Sequence, residues 1–368
     1  MTNFAVLNLG MPHLYSYMSD YRAIDFFCGG GGMTFGLRQA GIHVLAGVDF
    51  DRNCKDTYEI NNPDSKFIEA DIKKLPVEYF EKEFSVNKND DKLILIGCSP
   101  CQYYSIINTS REKSIKSKDL LMDFMRFVEY YNPGYVLVEN VPGIKSNKQT
   151  VLHDFLSFLE DKKYFVQQEV VNMSYYGVPQ SRKRFSLIAS RVDENINLPV
   201  PDEKQAILED FIGVKNGFQP VKAGNKDKTN FKNTVSGLNE ICLKRLAKTP
   251  HNGGSRLAWK DDKDLQLKCF EGKDNSFKDT FGRMWWKKPA STITTKFFNI
   301  SNGRFAHPEE DRALSLREGA TLQTFPKDYI FKTTSVAATA KIIGNAVPPE
   351  YARRLGEVII NSQTYGTI

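Results

Sequence analysis

The chain has 368 residues, of which 41% are hydrophobic and 26% are charged, and its formal net charge is +6. This length and composition exclude a disulfide-dense miniprotein and a disordered chain, and they predict a soluble protein with one large domain and a smaller one. No apolar stretch approaches the roughly 20 residues of a membrane span, and the N-terminus lacks the basic start and apolar core of a secretory signal. We therefore expect a cytoplasmic protein without a membrane segment.

Between residues 22 and 190, apolar runs alternate with amphipathic segments. Helical spacing is found in residues 32–41, 119–131 and 151–162. The apolar runs predicted to be strands are 23–27, 44–50, 66–70, 93–97, 135–141, 164–171 and 184–190. This alternation predicts an α/β fold with a doubly wound, mostly parallel sheet, in which ligands bind beyond the carboxyl ends of the strands.

The alternation of apolar runs and amphipathic segments ends after residue 190. Turns, lysines and aromatic residues there predict a smaller, irregular domain with short strands such as 291–298. Residues 313–325 have helical spacing, and residues 338–360 are predicted to form two helical pieces separated by Pro348 and Pro349, the last of which packs on the first domain. The predicted parts are an N-terminal extension of unknown role (1–20), a catalytic and cofactor-binding domain (21–190), the irregular domain (191–312) and a returning C-terminal segment (313–368).

Positive charge is concentrated in the second half of the chain. Residues 215–312 hold 20 Lys and Arg against 11 Asp and Glu, a net of +9, whereas the remaining residues hold 30 against 33. A solvated charged face would produce the same composition. A localised basic region on an otherwise slightly acidic protein is also typical of a module that binds a polyanion such as nucleic acid.

A glycine-rich turn, DFFCGGGG at residues 25–32, joins the first predicted strand to the first helix. Such a turn lets the backbone approach a ligand, and because no GK[ST] feature follows, it favours a cofactor without a triphosphate. After the second strand, an acidic residue of VDFD (48–51) can hold ribose hydroxyls and Phe50 can cover an adenine. Asp71, after the third strand, is placed to meet an exocyclic amine. Each acidic residue on its own could equally be a helix cap.

Six cysteines in so long a chain favour reduced thiols over a disulfide framework. Cys98 and Cys101 stand three positions apart after the run 93–97. The pair alone is compatible with two metal ligands, a redox pair, buried cysteines without a function, or a nucleophile. Zinc requires about four ligands, and no second cysteine pair or histidine pair accompanies this one, so no metal site is predicted. Because Cys101 follows Pro100 and precedes Gln102 beyond a strand end, it is predicted to be an exposed thiolate.

Two further segments carry charged residues near the same sheet edge. Glu139, in ENV after the fifth strand, could act as an acid or bind a base edge, or it could cap a helix. Arg182 and Arg184, in YGVPQSRKRF, stand two positions apart and would share one face of an extended segment, although a solvated basic turn is the alternative.

Six segments occur in the order, and at about the spacing, of the DNA cytosine-5 methyltransferase motifs. They are DFFCGGGG (25–32), GCSPCQYYS (97–105), ENV (139–141), QSRKR (180–184), LREGATLQTFP (316–326) and GNAVPP (344–349). The chain resembles this family, in its prokaryotic restriction-modification form, over about residues 22–190 and 313–355. Ser99 stands where proline is frequent and Tyr104 where phenylalanine is usual, and neither touches a reacting group.

The resemblance implies an S-adenosylmethionine-dependent methyltransferase (Rossmann-like) sheet with a target-recognition domain at 191–312. The cofactor would be S-adenosyl-L-methionine and its product S-adenosyl-L-homocysteine, with binding residues Phe27, Gly29, Gly31, Gly32, Asp49, Phe50, Asp71, Asn345 and Val347. The catalytic residues would be Cys101, Glu139, Arg182 and Arg184, with Gln102, Asn140 and Arg283 contacting the substrate. Trp285, Trp286 and the GGSR turn at 253–256 are further candidates for DNA contacts.

The chemistry implied is methylation of C5 of a cytosine flipped out of duplex DNA. Cys101 would add to C6, Glu139 would bond N3 and the exocyclic amine, and Arg184 would hold O2. The expected partners are double-stranded DNA and a cognate restriction endonuclease, and the enzyme is expected to be monomeric. The alternatives are a transfer RNA methyltransferase of the same fold, which usually carries a Cys-Phe-Thr triplet that is absent here, a catalytically silent DNA-binding protein, and a thiol-redox protein.

Overall fold

A seven-stranded sheet forms the centre of the computed structural model, which describes residues 19–99, 120–146 and 151–362. Its strands are β1 (Arg22–Phe26), β2 (His43–Asp49), β3 (Lys66–Glu69), β4 (Leu93–Gly97), β5 (Tyr135–Asn140), β6 (Phe165–Asn172) and β8 (Lys183–Ser190). The spatial order is β3-β2-β1-β4-β5-β8-β6, and β8 alone runs in the direction opposite to the other six strands. The predicted α/β class and mostly parallel sheet are therefore confirmed.

Helices cover both faces of this sheet. The described helices are α1 (Gly32–Gln39), α2 (Lys55–Asn61), α3 (Tyr79–Phe84), α4 (Leu120–Tyr131), α5 (Gly143–Ser146), α6 (Val151–Asp161), α7 (Glu240–Lys248), α8 (Leu316–Leu322), α9 (Val336–Asn345) and α10 (Pro349–Ser362). Phe124 of α4 and Phe155 of α6 pack with Phe26 on one face. Leu37 of α1 and Leu355 of α10 pack in the core of the other face. Side chains of alternate strand positions are thus buried on both sides, as in doubly wound folds.

The C-terminal helices return to the N-terminal part of the chain, as predicted. α9 and α10 are separated near Pro348 and Pro349, and α10 lies against α1. The contact is close because Gly36 has no side chain: a Cβ there would lie 2.2 Å from the carbonyl oxygen of Pro349. No helix in the described part of the chain is long and apolar enough to cross a membrane.

The irregular region, residues 191–312, contains α7, several single 3₁₀ turns and one short strand, β9 (Ala290–Ser291), which pairs in parallel with β7 (Gln180–Ser181). The predicted strand at 291–298 is wrong beyond Ser291. The Ile293 N–H donates to Gln180 Oε1, and its carbonyl accepts from Arg182, so side chains occupy the groups that a strand ladder would use. Residues 294–297 then form a turn, in which the Phe297 N–H donates to the Thr294 carbonyl.

In this region, buried arginines donate hydrogen bonds to backbone carbonyls that helices or strands would otherwise satisfy. The arginines of residues 215–312 are each 6% exposed or less: Arg245, Arg256, Arg283, Arg304 and Arg312. The Arg283 guanidinium alone donates to four backbone carbonyls, those of Leu246, Thr249, His307 and Glu310, and to the Asp311 carboxylate. Buried carbonyls require donors, and the five N–H groups of a guanidinium satisfy several at once where neither helix nor sheet does so.

Candidate functional site

The glycine-rich turn lies at the carboxyl end of β1, beside the point where the strand order reverses between β1 and β4. Phe27, Gly29 and Gly31 all have left-handed backbone conformations, with φ of 64°, 52° and 87°. The N–H groups of Phe27 and Cys28 both donate to the Val48 carbonyl, which fixes the turn against β2. The left-handed residues explain why glycine is frequent here, and the position is the usual ligand crevice of an open α/β sheet.

The glycines of the turn differ in what lies beside them. A Cβ on Gly29 would meet nothing within 4 Å, whereas one on Gly31 would lie 2.5 Å from Asn62 Nδ2 and one on Gly32 would lie 2.4 Å from the Val347 carbonyl oxygen. The last two glycines therefore serve close packing of α1 against protein on their Cβ side. Gly29 borders open space.

The acidic and aromatic residues predicted to contact a cofactor follow β2 and β3. Asp49 accepts hydrogen bonds from the Gly29 N–H at 2.9 Å and the Asp51 N–H at 2.8 Å, so its carboxylate ties the β2 end to the glycine-rich turn. Phe50 is 70% exposed, a large value for a phenylalanine. Asp71 is also exposed, and its Oδ1 accepts from the Lys73 N–H at 3.1 Å, which caps a turn and leaves the other oxygen available.

The C-terminal segment borders the same crevice. Lys341 of α9 donates to the Asp51 carboxylate at 2.6 Å. Asn345, at the end of α9, is exposed, and Val347 is buried beside Gly32. Segments nearly 300 residues apart in the chain therefore meet around the end of β1, as the sequence motifs imply.

Asp25 is a buried acid for which the sequence analysis gave no role. It is fully buried, its Oδ2 accepts from the Thr34 hydroxyl at 2.7 Å, and its Oδ1 has no hydrogen-bond partner among the described residues. Burial raises its pKa to about 7, which the hydrogen bonds from Thr34 offset only in part. Gly31, the residue before α1, has no side chain to cap the helix, and Asp25 contacts the first turn of α1 through the Thr34 hydroxyl. Its place in the motif, directly before the turn, was the available signal.

The end of β4 lies next to the end of β5. Asn140 Nδ2 donates to the Ser99 carbonyl at 3.2 Å, which joins the segment after β4 to β5. Burial and the nearby Glu139 carboxylate raise the pKa of the Cys98 thiol well above its usual value. Cys98 is therefore a neutral thiol at neutral pH, which makes it a poor nucleophile. Cys101 and Gln102 lie outside the described residues.

Glu139 and Arg184 form an ion pair at the carboxyl end of β5. Glu139 is 8% exposed, and its Oε1 lies 3.3 Å from Arg184 Nε on the neighbouring strand β8. That oxygen accepts no hydrogen bond among the described residues. Burial raises the pKa of Glu139, while Arg184 and Arg182 act in the opposite direction. A carboxyl group with a raised pKa is protonated more readily than an exposed one, which suits a group that exchanges a proton with a bound base.

Arg182 lies beside this pair but faces the protein interior. It is 2% exposed, and it donates to the carbonyls of Ile293, Gly344 and Ala346. Burial lowers its pKa to about 9, which still leaves it protonated at neutral pH. Arg182 therefore joins β8 to two distant segments, and Arg184 is the arginine that faces Glu139.

The structure contradicts the predicted substrate contact of Arg283. This residue is fully buried, and all five of its N–H donors are engaged within the protein. Trp286 Nε1 donates to Glu309, and the Trp285 ring is half-buried, with the Arg304 guanidinium 4.1 Å from its centroid. A sequence pattern cannot distinguish a buried arginine from an exposed one, because both occur in basic, poorly patterned segments.

These residues form one site at the edge of the sheet. The open turn at Gly29, the exposed Phe50 and the exposed Asp71 can hold a nucleoside-containing cofactor, since they offer backbone N–H groups, a ring face and a carboxylate. The Glu139–Arg184 pair, two strands away from β1 in the same sheet, can bind and protonate a polar heterocycle.

Comparison with known proteins agrees with this geometry. The family model described as C-5 cytosine-specific DNA methylase matches residues 21–361. The type II methylase M.HgiDII of Herpetosiphon aurantiacus is 36% identical over 346 residues, covering 92% of this chain and 94% of the relative. The type II methyltransferase M.DdeI of Desulfomicrobium norvegicum is 28% identical, covering 91% and 88%.

Solved structures share the fold. A chain described as a DNA modification methyltransferase encoded within an Escherichia coli prophage superposes with a TM-score of 0.70 at 21% identity, covering 94% of this chain and 100% of that chain. A mutant DNMT2 of Spodoptera frugiperda gives a TM-score of 0.60 at 17% identity, covering 93% and 100%. With a family model matching nearly the whole chain, the protein belongs to the C-5 cytosine-specific DNA methylases.

Proposed function

We propose that this chain transfers the methyl group of S-adenosyl-L-methionine to C5 of a cytosine within a specific duplex DNA sequence. Its relatives include proteins named type II methylases or methyltransferases, which supports a role in protecting DNA from a restriction endonuclease that cuts the same sequence. The enzyme would act as a cytoplasmic monomer on DNA.

The observation that carries the proposal is the Glu139–Arg184 pair on the same sheet edge as the glycine-rich turn. A buried carboxyl group with a raised pKa can donate a hydrogen bond to N3 of cytosine as charge develops on the ring. Arg184 can hold the O2 atom and keep Glu139 oriented. A protein that only bound DNA would have no need to bury this pair beside a nucleotide-type crevice.

The residues around β1 fit the proposed cofactor. The open space at Gly29, the exposed Phe50 ring and the Asp71 carboxylate match its amino acid part, its adenine and its adenine amine. Phe27, Gly31 and Gly32 would shape the turn, Asp49 would bind the ribose, and Asn345 and Val347 would close the site. S-Adenosylmethionine supplies an electrophilic methyl group when bound.

Cys101 is proposed as the nucleophile that adds to C6 of the cytosine. This addition makes C5 an enamine carbon that can attack the methyl group, and a base then removes the C5 proton before the thiolate leaves. The neutral Cys98 thiol supports the choice of Cys101 within the pair, because burial and, to a smaller extent, the Glu139 carboxylate disfavour a thiolate at Cys98. Gln102 and Asn140 would position the substrate around the nucleophile.

The irregular region is proposed as the target-recognition domain. Its accessible positive charge comes from lysines: of the 15 lysines in residues 215–312, all but the half-buried Lys232 are exposed. Lysines contact phosphates as point charges, and the release of counterions offsets the cost of flipping the target nucleotide. Arg182, which holds both Ile293 and the 344–346 segment, would keep this region in register with the catalytic residues.

The test measures transfer of labelled methyl from S-adenosylmethionine to duplex DNA, single-stranded DNA and transfer RNA. Wild type should label duplex DNA, Cys101→Ser should not, and Cys98→Ser, the matched control, should retain activity. Labelling of transfer RNA alone would replace the proposed substrate. Binding of DNA without any labelling would show a catalytically silent protein, and activity lost in both serine variants would refute the choice of Cys101 over Cys98.

A further inference from the structure

The buried arginines restrict which residues of the irregular region can read DNA bases. Bidentate contacts between arginine and guanine are the commonest specific contacts in the major groove. The five arginines of residues 215–312 have at most 6% exposure, and their guanidinium groups bind internal carbonyls and carboxylates. Base recognition by this region must therefore rely on other side chains, a conclusion that rests on the proposed DNA substrate.

One loop of the region is held rigidly by two of these arginines. Arg256 donates to the carbonyls of Lys273, Ser276 and Phe277 at 2.5, 2.7 and 3.2 Å. Arg256 is fully buried, and its guanidinium stacks 4.5 Å from the centroid of the Phe270 ring. Arg304 fixes the far side of the loop, where it pairs with Asp279 at 2.8 Å. The backbone of residues 273–279 is thus fixed from below without any regular secondary structure.

Phe277 occupies the tip of this loop and is the most unusual residue in it. Its side chain is 61% exposed, and its φ of 52° lies in the left-handed region that bulky residues rarely adopt. The centroids of the Phe277 and Phe270 rings lie 6.2 Å apart. Strained backbone conformations persist where the surrounding structure enforces them, and they cluster at functional sites. Here the arginine contacts enforce the conformation, and its result is an aromatic ring directed into solvent.

We propose that Phe277 is a DNA-contacting wedge that stacks on, or inserts between, base pairs of the bound duplex. Apolar side chains inserted at a base step unstack it and deform the duplex, which assists extrusion of a nearby nucleotide. Because the loop is already rigid, less conformational entropy is lost when the Phe277 ring contacts DNA. Lys278 follows directly, is exposed, and pairs with no carboxylate in the part of the chain that the structure describes. An exposed lysine next to the ring can contact a DNA phosphate.

The experiment uses the full chain and variants that separate the ring from the backbone. Phe277→Asn removes the ring while keeping a residue that tolerates the left-handed conformation, and Phe277→Tyr keeps the ring. Phe165→Ala is the matched control, because Phe165 is another exposed phenylalanine, 46% exposed, on the edge strand β6. Wild-type methylation of genomic DNA, mapped at single-base resolution, first identifies the target duplex for the binding measurements.

We expect Phe277→Asn to weaken binding of that duplex about tenfold, the effect of losing one base–aromatic stacking contact. Phe277→Tyr and Phe165→Ala should bind like wild type, and all variants should keep the Tm and the S-adenosylmethionine affinity of wild type. Lys278→Gln should lower the dependence of log Kd on log salt concentration by about one phosphate contact.

Two results would overturn the proposal. Equal DNA binding by Phe277→Asn and wild type would show that the ring does not touch DNA. A lowered Tm, with DNA and cofactor binding reduced together, would show that the ring serves only to cover Phe270. Failure of wild type to methylate any duplex would instead refute the proposed function, since the wedge is tested only against a duplex that wild type has methylated.

Discussion

The sheet region (residues 22–190) and the irregular region satisfy their backbones in different ways. In the sheet region, strand ladders pair the carbonyls and N–H groups, so the polar side chains at strand ends are available for chemistry. In the irregular region, guanidinium groups do the pairing, as Arg283 and Arg256 show. This difference shows that a charged residue can be assigned a function only after the hydrogen bonds that it makes to the surrounding backbone have been identified.

The same comparison changes how the excess of basic residues in 215–312 is interpreted. The excess of +9 in residues 215–312 predicts DNA binding, but five of its positive charges are internal. The lysines carry the accessible charge, and they favour phosphate contacts over base recognition. The sheet region shows the reverse pattern, since its buried Glu139–Arg184 pair lies at the site where chemistry is proposed.

The largest effect is expected in the sheet region, from Glu139→Gln. This change should lower kcat for methyl transfer by about 10³-fold, because the amide cannot transfer a proton to the base. The Tm should fall only modestly, because Arg184 loses its ion-pair partner but still faces a polar amide. The measurement is single-turnover methylation together with thermal unfolding. Glu169→Gln, on the edge strand β6, is the control, and equal losses in both variants would contradict the assignment.

In the irregular region, Arg283→Lys should cost stability instead of chemistry. A lysine has three donors and cannot serve the four carbonyls and one carboxylate that Arg283 binds. We expect a loss of about 3–4 kcal/mol in the free energy of unfolding, since buried partners are left unsatisfied. Lys287→Gln, an exposed neighbour, should weaken DNA binding without a change in unfolding. A stable Arg283→Lys protein with weakened DNA binding would instead support the prediction from sequence that Arg283 contacts the substrate.

At the junction between the irregular region and α8, Glu318 should make stability depend on acid. It is 1% exposed and pairs with Arg312 at 2.7 and 2.9 Å, which lowers its pKa to about 2 against an ordinary value of 4.5. The folded state therefore binds its proton less tightly than the unfolded state does. This stabilisation, on the order of 3 kcal/mol, is present above about pH 5 and is lost as the pH falls towards 2.

The check is urea unfolding of wild type and Glu318→Gln between pH 3 and pH 7. The difference between the two proteins should shrink as the pH falls. A difference that stays constant with pH would show that the pair contributes packing and not ionisation.

Asp25 should give the opposite dependence on pH in the sheet region. Its pKa is raised to about 7 from an ordinary value of 3.8, so the folded state binds the proton more tightly and loses stability as the pH rises from about 4 to about 7. Asp25→Asn removes this loss. The unpaired NH₂ group of the new amide lowers stability equally at every pH. We therefore expect the stability of Asp25→Asn relative to wild type to be higher at pH 8 than at pH 5 by about 2–3 kcal/mol. Denaturant unfolding at both pH values tests this, and equal effects would disprove it.

The smallest effect is expected from an exposed ion pair of the irregular region. Lys260 and Asp274 lie 2.9 Å apart, but both side chains are more than 40% exposed. Solvent and salt screen such pairs. Lys260→Gln should leave the Tm unchanged, which separates surface lysines from the buried arginines. A clear drop in the Tm of Lys260→Gln would show that a surface lysine also contributes to stability, which would contradict this separation.

The sequence predicted the sheet region well because strands and helices there follow apolar periodicity, which is a local signal. It placed Glu139 and Arg184 near the same edge, and the structure brings them to 3.3 Å. It failed at 291–298, where the β-branched pattern predicts a strand but contacts from Gln180 and Arg182 prevent one. It also failed for Arg283, because burial in an irregular region depends on contacts between residues far apart in the chain.

The packing of α10 on α1 has a consequence for the biosynthesis of the enzyme. Gly36 accommodates the Pro349 carbonyl, and Gly32 contacts Val347, so one side of the first helix after the glycine-rich turn is covered by residues more than 300 positions later in the chain. A nascent chain therefore cannot complete this packing before residue 349 has left the ribosome. Until then, this side of the first helix lacks the residues that cover it in the folded structure.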